Sequence, residues 1–301
     1  MLSYLEMMRL GNCLMTALAV FAGGLLIFRW GLDPLTGPIV LLAMVSAFLI
    51  AGAGNVANDV ADFEADKVNR PKRPIPSGRA GRSSSAAFAV FLFIAGLMLA
   101  ASINWMTLFI ALLNSAVLVG YSSWMQHKVY LGNIAISYLV ASSFVFGGAA
   151  MGHIGLPLVL SAMAFFANLS REIVKDLEDV EGDRFNFIRR LKARLKRTAA
   201  SISERFNIKH GKPVLAYNKK DAVIMAMVSL LFSVAISPLP YVLDILKLSY
   251  LVFLVPADFV MLAAVVQLYI SISRKTLSKV SKMIKAGMLL GLLAFVAGVL
   301  F

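Results

Sequence analysis

Nine long apolar runs constrain this chain more than any other feature. They lie near positions 10–28, 36–57, 85–103, 105–124, 131–150, 154–175, 221–238, 248–272 and 284–301. Each approaches or exceeds the ~20 helical residues that cross a bilayer. Backbone amides have no water partner in hydrocarbon, so runs of this length must close their hydrogen bonds internally as helices. The expectation is an all-α integral membrane protein with nine transmembrane helices, built as a single domain over 1–301. With 59% of residues hydrophobic and 15% charged, the chain carries more apolar surface than a water-soluble fold of this size buries. The first run is too long for a signal-peptide core, and no small-residue cleavage pattern precedes Arg29 and Trp30, so it reads as a retained span.

The net charge of +13 is distributed by topology, which argues against nucleic acid as a partner. Of 29 Lys and Arg residues, 27 fall in the N-terminal segment and in the connections after the second, fourth, sixth and eighth runs; the other side holds only Arg29 and Lys247. The positive-inside rule then puts the N-terminus in the cytoplasm and the C-terminus outside. The only cysteine, Cys13, lies within the first run, so neither a disulfide framework nor a thiolate metal cluster is available. The connections on the outer side are short and nearly uncharged. Those on the cytoplasmic side are the motif loops 58–82 and 171–220, the second much longer than a helix-to-helix link requires. Within it, 187–206 reads either as an amphipathic helix on anionic membrane lipids or as a solvated run of charge.

Ten of the 16 acidic residues crowd into two windows at the cytoplasmic ends of the second and sixth runs. In the first, Asn58, Asp62 and Asp66 recur at i, i+4 and i+8; in the second, Asp176, Asp179 and Asp183 recur at i, i+3 and i+7. Both spacings place three polar side chains along one helical face. Stacked carboxylates at a membrane boundary repel one another and are costly to desolvate unless cations neutralise them. Oxygen ligands without nearby His or Cys favour Mg²⁺, which takes a few carboxylates and completes its shell with phosphate oxygens. A diphosphate held by Mg²⁺ between the two stripes is the expectation, with Asn58, Asp62, Asp66, Asp176, Asp179 and Asp183 as ligands. The competing reading is a pair of ordinary hydrophilic helix ends.

Positive groups near such a site would stabilise a departing diphosphate. The candidates are Lys67, Arg70 and Arg73 in the first loop and Lys175 beside the second stripe, where an ion pair with its neighbours is the alternative role. Arg79 and Arg82 are expected to meet lipid phosphates or solvent. Arg9 and Asn12 share a face at the start of the first run and either contact substrate or, for Arg9, snorkel to the interface. Asn114 and Tyr121 share a face of the fourth run, and Lys128 follows it. Asp258 is a lone carboxylate inside the eighth run, left outside the site.

The segments Asn58-Asp59-x-x-Asp62-x-x-x-Asp66 and Asp179-x-x-x-Asp183, with the loop Asn69-Arg70-Pro71-Lys72-Arg73-Pro74-Ile75-Pro76-Ser77-Gly78-Arg79, resemble the paired signatures of the UbiA superfamily of intramembrane prenyltransferases. The resemblance implies a ring of helices around a central cavity that opens sideways to lipid. It also implies Mg²⁺-dependent transfer from an isoprenyl diphosphate, with Asp62, Asp66, Asp179 and Asp183 catalytic. Tyr121 is similar to the Tyr of the family's Tyr-x-x-x-Lys-like element, although Gln126 and His127 stand where a Lys is common and the nearest one is Lys128. The wording Tyr4-Leu-Glu-Met-Met-Arg9-Leu-Gly-Asn12 and Arg171 to Asp183 is most similar to the archaeal digeranylgeranylglyceryl phosphate synthase group. That group implies geranylgeranyl diphosphate as donor, geranylgeranylglyceryl phosphate as a lipid-like acceptor, and a cell-membrane enzyme with its active site on the cytoplasmic side. The chain departs from the group after Asp183, where the long basic segment replaces a short connection. An aromatic prenyltransferase of quinone or haem synthesis is the alternative. A transporter fits less well, because the outer side has almost no ionisable groups. The Asp-Gly-x-x-Ala-Arg sequence of CDP-alcohol phosphotransferases is absent.

Overall fold

The computed structural model describes residues 2–25, 36–128, 130–197 and 218–301; for Thr36, His127 and residues 180–197 it describes the backbone alone. Every regular element among them is helical. In chain order they are α1 (Leu2–Met8), α2 (Leu10–Leu25), α3 (Thr36–Ala61), α4 (Phe63–Asn69), α5 (Arg82–Ile103), α6 (Trp105–Ser123), α7 (Leu131–Ala150), α8 (Gly155–Arg197), α9 (Lys219–Ile236), α10 (Leu239–Val242), α11 (Leu248–Ile270) and α12 (Arg274–Leu300). A one-turn 3₁₀ helix, Met125–His127, lies between α6 and α7.

Eight of these helices are long and apolar enough to cross a membrane, and the bent pair α1–α2 makes a ninth if it is counted as one span. The chain is a multi-pass membrane protein. Its first apolar run begins with a corner: α1 and α2 meet at 50°. Arg9 forms the corner with φ 54°, left-handed backbone that costs an L-residue about 1–2 kcal/mol. The break frees the Met8 carbonyl from helical bonding, and two neighbours restore its partners: Asn55 Nδ2 donates to it at 2.8 Å and Cys13 Sγ at 3.0 Å.

Local sequence explains the other ends. Asn104 and Thr107 form a reciprocal capping box at the start of α6. Asn218 caps α9 and Ser273 caps α12 through their side-chain oxygens. After α4 the three prolines Pro71, Pro74 and Pro76 cannot continue a helix, and the chain turns until α5 begins at Arg82.

The membrane helices pack in sequence as a closed circuit. α2 lies on α3, α3 on α5 and α6, α6 on α7, α7 on α8, α8 on α9 and α12, α11 on α9 and α12, and α12 returns to α2. Lipid offers no hydrophobic drive between helices, so close approach depends on small residues. At the α2–α7 crossing the approach is reciprocal. A Cβ on Gly23 would collide with the Phe144 carbonyl, and one on Gly147 with the Val20 carbonyl. Polar cross-links add to this: Ser46 Oγ donates to the Gly96 carbonyl between α3 and α5 at 2.7 Å, and Ser233 Oγ to the Met163 carbonyl between α9 and α8 at 3.0 Å. Asp258, the carboxylate inside α11, accepts from Ser237 Oγ at 2.6 Å, so it is tied to the end of α9.

Candidate active site

Both acidic windows fall at the same end of the bundle. α3 ends at Ala61, and the chain swings through Asp62 into the short α4, so the first window spans a helix junction rather than one continuous stripe. The backbone stays bonded across it, with the Asp62 amide donating to Asn58 and the Asp66 amide to Asp62. The side chains then divide into two groups.

Asp59 and Asp66 turn inward and are nearly inaccessible, 5% and 6% exposed. Asp59 Oδ1 takes Arg9 at 2.7 Å and Arg73 at 3.1 Å, and the same Arg73 nitrogen reaches Asp66 Oδ2 at 2.6 Å. This explains the corner at Arg9, which delivers its guanidinium to Asp59 and stops it from snorkelling. Arg73 acts as a clamp, since its one guanidinium bridges two buried carboxylates seven residues apart on either side of the α3–α4 junction.

Asp62 is held differently. Asn58 Nδ2 donates to its Oδ2 at 2.9 Å and Gln126 Nε2 to its Oδ1 at 2.8 Å, both neutral amides, and no described Lys or Arg pairs with it. Among the described residues its negative charge is therefore uncompensated, while each oxygen keeps lone pairs. Asn58 Oδ1 beside it is buried and accepts no hydrogen bond. A buried acceptor without a donor is the kind of group a cation satisfies.

The second window lies on α8, which continues unbroken from the membrane through Asp176 and Asp179 to Arg197. Asp176 Oδ2 accepts from Asn133 Nδ2 of α7 at 3.1 Å. Asp179 is exposed, and Lys175 is exposed beside it. The Asp183 side chain lies outside the described residues, as do the side chains of the basic segment expected over 187–206. Arg171 pairs with its neighbour Glu172, while Lys175 turns to solvent.

The connection between α6 and α7 spans the gap. Gln126, at its start, also donates to the Ser122 carbonyl at 3.0 Å, while the Asn133 carbonyl, in the first turn of α7, accepts from Ser137 Oγ. Ser137 Oγ in turn accepts from the buried Asn168 of α8 at 3.3 Å, so a polar ladder runs down the α7–α8 seam. Tyr121 is half-buried with its ring beside Gly132, and Asn114 accepts from Ser142 Oγ of α7 at 3.0 Å. Lys128 is exposed with its ammonium 5.1 Å from the Trp124 ring, a cation–π contact. Tyr130 precedes α7 with φ 64°, and burial first, then the charge of Asp221, pushes its phenol above the usual range.

Other candidates are placed as follows. Lys67 pairs with Glu64 at 3.2 Å and covers the Phe63 ring, and Arg70 is exposed just past α4. Asn12 is exposed on α2, one turn from Arg9 but without that residue's tie to Asp59. Arg79 departs from the expectation of lipid phosphate or solvent. It binds Glu6 of α1 through both terminal nitrogens at 2.7 and 3.1 Å and donates to the Lys72 carbonyl, which closes the Pro-rich loop on the N-terminal helix. Arg82 lies over the Phe63 ring. Gln126 and Asn133 are two residues the sequence does not bring forward: Gln126 draws notice only as standing where the family commonly has a Lys, and Asn133 draws none.

The donor set can be tested for a hard cation. Among the described residues no three His, Cys, Asp or Glu side chains converge on a common point. A zinc-type cage is thus not formed by them, whereas Mg²⁺ needs only one or two carboxylates with phosphate oxygens and water. Asp62, the unpartnered Asn58 oxygen and Asp176 across the connection suit such a cation.

The digeranylgeranylglyceryl phosphate synthase of Methanococcus maripaludis (strain C6) is 35% identical over 299 residues, covering 99% of this chain and 98% of that protein. A solved digeranylgeranylglyceryl phosphate synthase structure is 33% identical, covers 99% of this chain and 97% of its own, and superposes with a TM-score of 0.81. A UbiA homologue from Archaeoglobus fulgidus bound to GPP and Mg²⁺ shares the fold at 16% identity, covering 98% and 99% of the two chains, with a TM-score of 0.64. The model of the UbiA prenyltransferase family matches residues 13–293. With that match over nearly its whole length, the chain belongs to the UbiA prenyltransferase family.

Proposed function

We propose that the chain is a digeranylgeranylglyceryl phosphate synthase, transferring a geranylgeranyl group from its diphosphate to geranylgeranylglyceryl phosphate and releasing diphosphate in archaeal ether-lipid synthesis. Full-length relatives of that name support the acceptor and prenyl class. The carrying observation within the molecule is Asp62: its two oxygens are fixed by neutral amides, and among the described residues no cation matches its charge and the Asn58 amide oxygen beside it has no donor. Asn58 and Asp62 from the first window and Asp176, Asp179 and Asp183 from the second are assigned to hold Mg²⁺ together with the donor's phosphates. Asp66, bridged to Asp59 by Arg73, contributes by holding the α3–α4 junction in shape. Held by these residues, Mg²⁺ would stabilise the negative charge that builds on the diphosphate as its allylic C–O bond breaks.

The chain's own groups supply the rest. Lys67, Arg70, Lys128 and Lys175, all exposed around the site, attract the donor's diphosphate and stabilise it as it leaves. Arg9, Asn12 and Tyr121 border the acceptor's path. Apolar helix walls exclude water from the allylic cation. The acceptor hydroxyl oxygen forms the new C–O bond as its proton passes to the released diphosphate or to a carboxylate. The whole of 1–301 forms one catalytic unit of nine spans, counting α1–α2 as one, around a central cavity open sideways to lipid. It lies in the cell membrane with the site and N-terminus cytoplasmic and the C-terminus outside, a reading the charge asymmetry supports.

The test is a Mg²⁺-dependent assay of purified protein with labelled geranylgeranyl diphosphate, offering geranylgeranylglyceryl phosphate and aromatic acids in parallel. Ether-lipid product that disappears with EDTA is expected. Transfer to an aromatic acid alone would replace this reading with that of a quinone- or haem-pathway enzyme, and full turnover by Asp62→Ala would remove Asp62 from the metal site.

A further inference from the structure

The α6–α7 connection touches both acidic windows with the same chemistry. At one end the Gln126 amide donates to Asp62 Oδ1, and seven residues later the Asn133 amide donates to Asp176 Oδ2. Asp59 and Asp66 show what the alternative looks like. There the clamping groups are arginines, and the carboxylates are neutralised by the residues that hold them. A neutral amide orients a carboxylate without cancelling its charge, which a metal ligand needs and a structural ion pair does not. The two ends of the connection are braced: Gln126 is anchored to the Ser122 carbonyl, Gly132 packs against the Met125 carbonyl, and Asn133 heads the polar ladder to α8. A braced donor at each end orients the carboxylate it holds.

We infer that Gln126 and Asn133 are positioning residues that orient Asp62 and Asp176 toward a metal-bound diphosphate, through amides that bring no charge of their own. This rests on the assignment of Asp62 to the metal site.

The test uses the full chain in detergent, with Mn²⁺ and inorganic pyrophosphate as probes and EPR reading bound Mn²⁺. Gln126→Met and Asn133→Leu keep side-chain volume and remove the amide. Each is expected to weaken Mn²⁺–pyrophosphate binding about tenfold, the usual scale for loss of an outer partner of a metal ligand, with Tm unchanged. Asp62→Asn is the reference and should abolish binding. If Asp62→Asn binds normally, the metal-site assignment itself fails. If Asp62→Asn loses binding while both amide variants bind as the parent does, or lose affinity only in step with a fall in Tm, the positioning role alone is overturned.

Discussion

Asp59, Asp62 and Asp66 lie within eight residues and have the same side chain, yet their surroundings give them different roles. Asp59 and Asp66 are buried against Arg9 and Arg73, and burying charges this far is tolerable only while they stay paired. Arg73→Met therefore leaves two buried carboxylates short of a partner and should destabilise the protein by about 3 kcal/mol, read as a lower midpoint in thermal or denaturant unfolding in micelles. Exposed pairs behave otherwise. Lys67→Ala removes surface contacts, the pair with Glu64 and the cover on the Phe63 ring, and should leave unfolding nearly unchanged, while raising KM for the prenyl diphosphate donor.

Among the helices, the α2–α7 crossing depends on backbone contact. Gly147→Ala places a methyl into the Val20 carbonyl, so the two helices must separate, at a cost of about 1–3 kcal/mol. Gly11, near the start of α2, has open space where its Cβ would stand. Gly11→Ala should be neutral or slightly stabilising, by up to about 1 kcal/mol, since alanine is the better helix former. Thermal unfolding of the two variants side by side separates crowding at the crossing from a general effect of replacing glycine. The spans themselves were largely legible in the sequence: the apolar runs at 105–124 and 131–150 nearly coincide with α6 and α7. The corner at Arg9 was not, because the residues around it are compatible with an unbroken helix. Its cause lies fifty residues away, in the pull of Asp59 on the Arg9 guanidinium and the Asn55 amide that takes up the freed carbonyl.

Across the molecule, the Arg79–Glu6 pair fastens the Pro-rich loop to α1, and Tyr4 adds a hydrogen bond to Ser84 and an edge-on contact with Phe88. Arg79→Ala should speed hydrogen exchange in α1 and in the loop around Pro74, with exchange in α7 and α8 unchanged. Orientation in the membrane is open to a direct measurement. Cys13 is buried, so the background for thiol labelling is low. A cysteine at the exposed Ser77 should react with a membrane-impermeant reagent only from the cytoplasmic side, and one at the exposed Gly152 only from outside.

Hydropathy and local spacing are enough to set the all-helical membrane class, the placement of the spans and the gathering of acidic residues at two span ends. These properties act within a few turns of chain, so the order of residues carries them. Which carboxylates are neutralised and which keep their charge depends instead on tertiary packing. Helical spacing grouped Asp66 with Asp62, but the junction at Asp62 and the return of Arg73 from the Pro-rich loop pair it with Asp59. The amides that hold Asp62 and Asp176 come from Gln126 and Asn133, distant in sequence and close only once α6 and α7 pack against α3 and α8. A carboxylate's charge state and orientation depend on whatever lies within a few ångströms, and in a helical bundle most of those neighbours arrive from other helices.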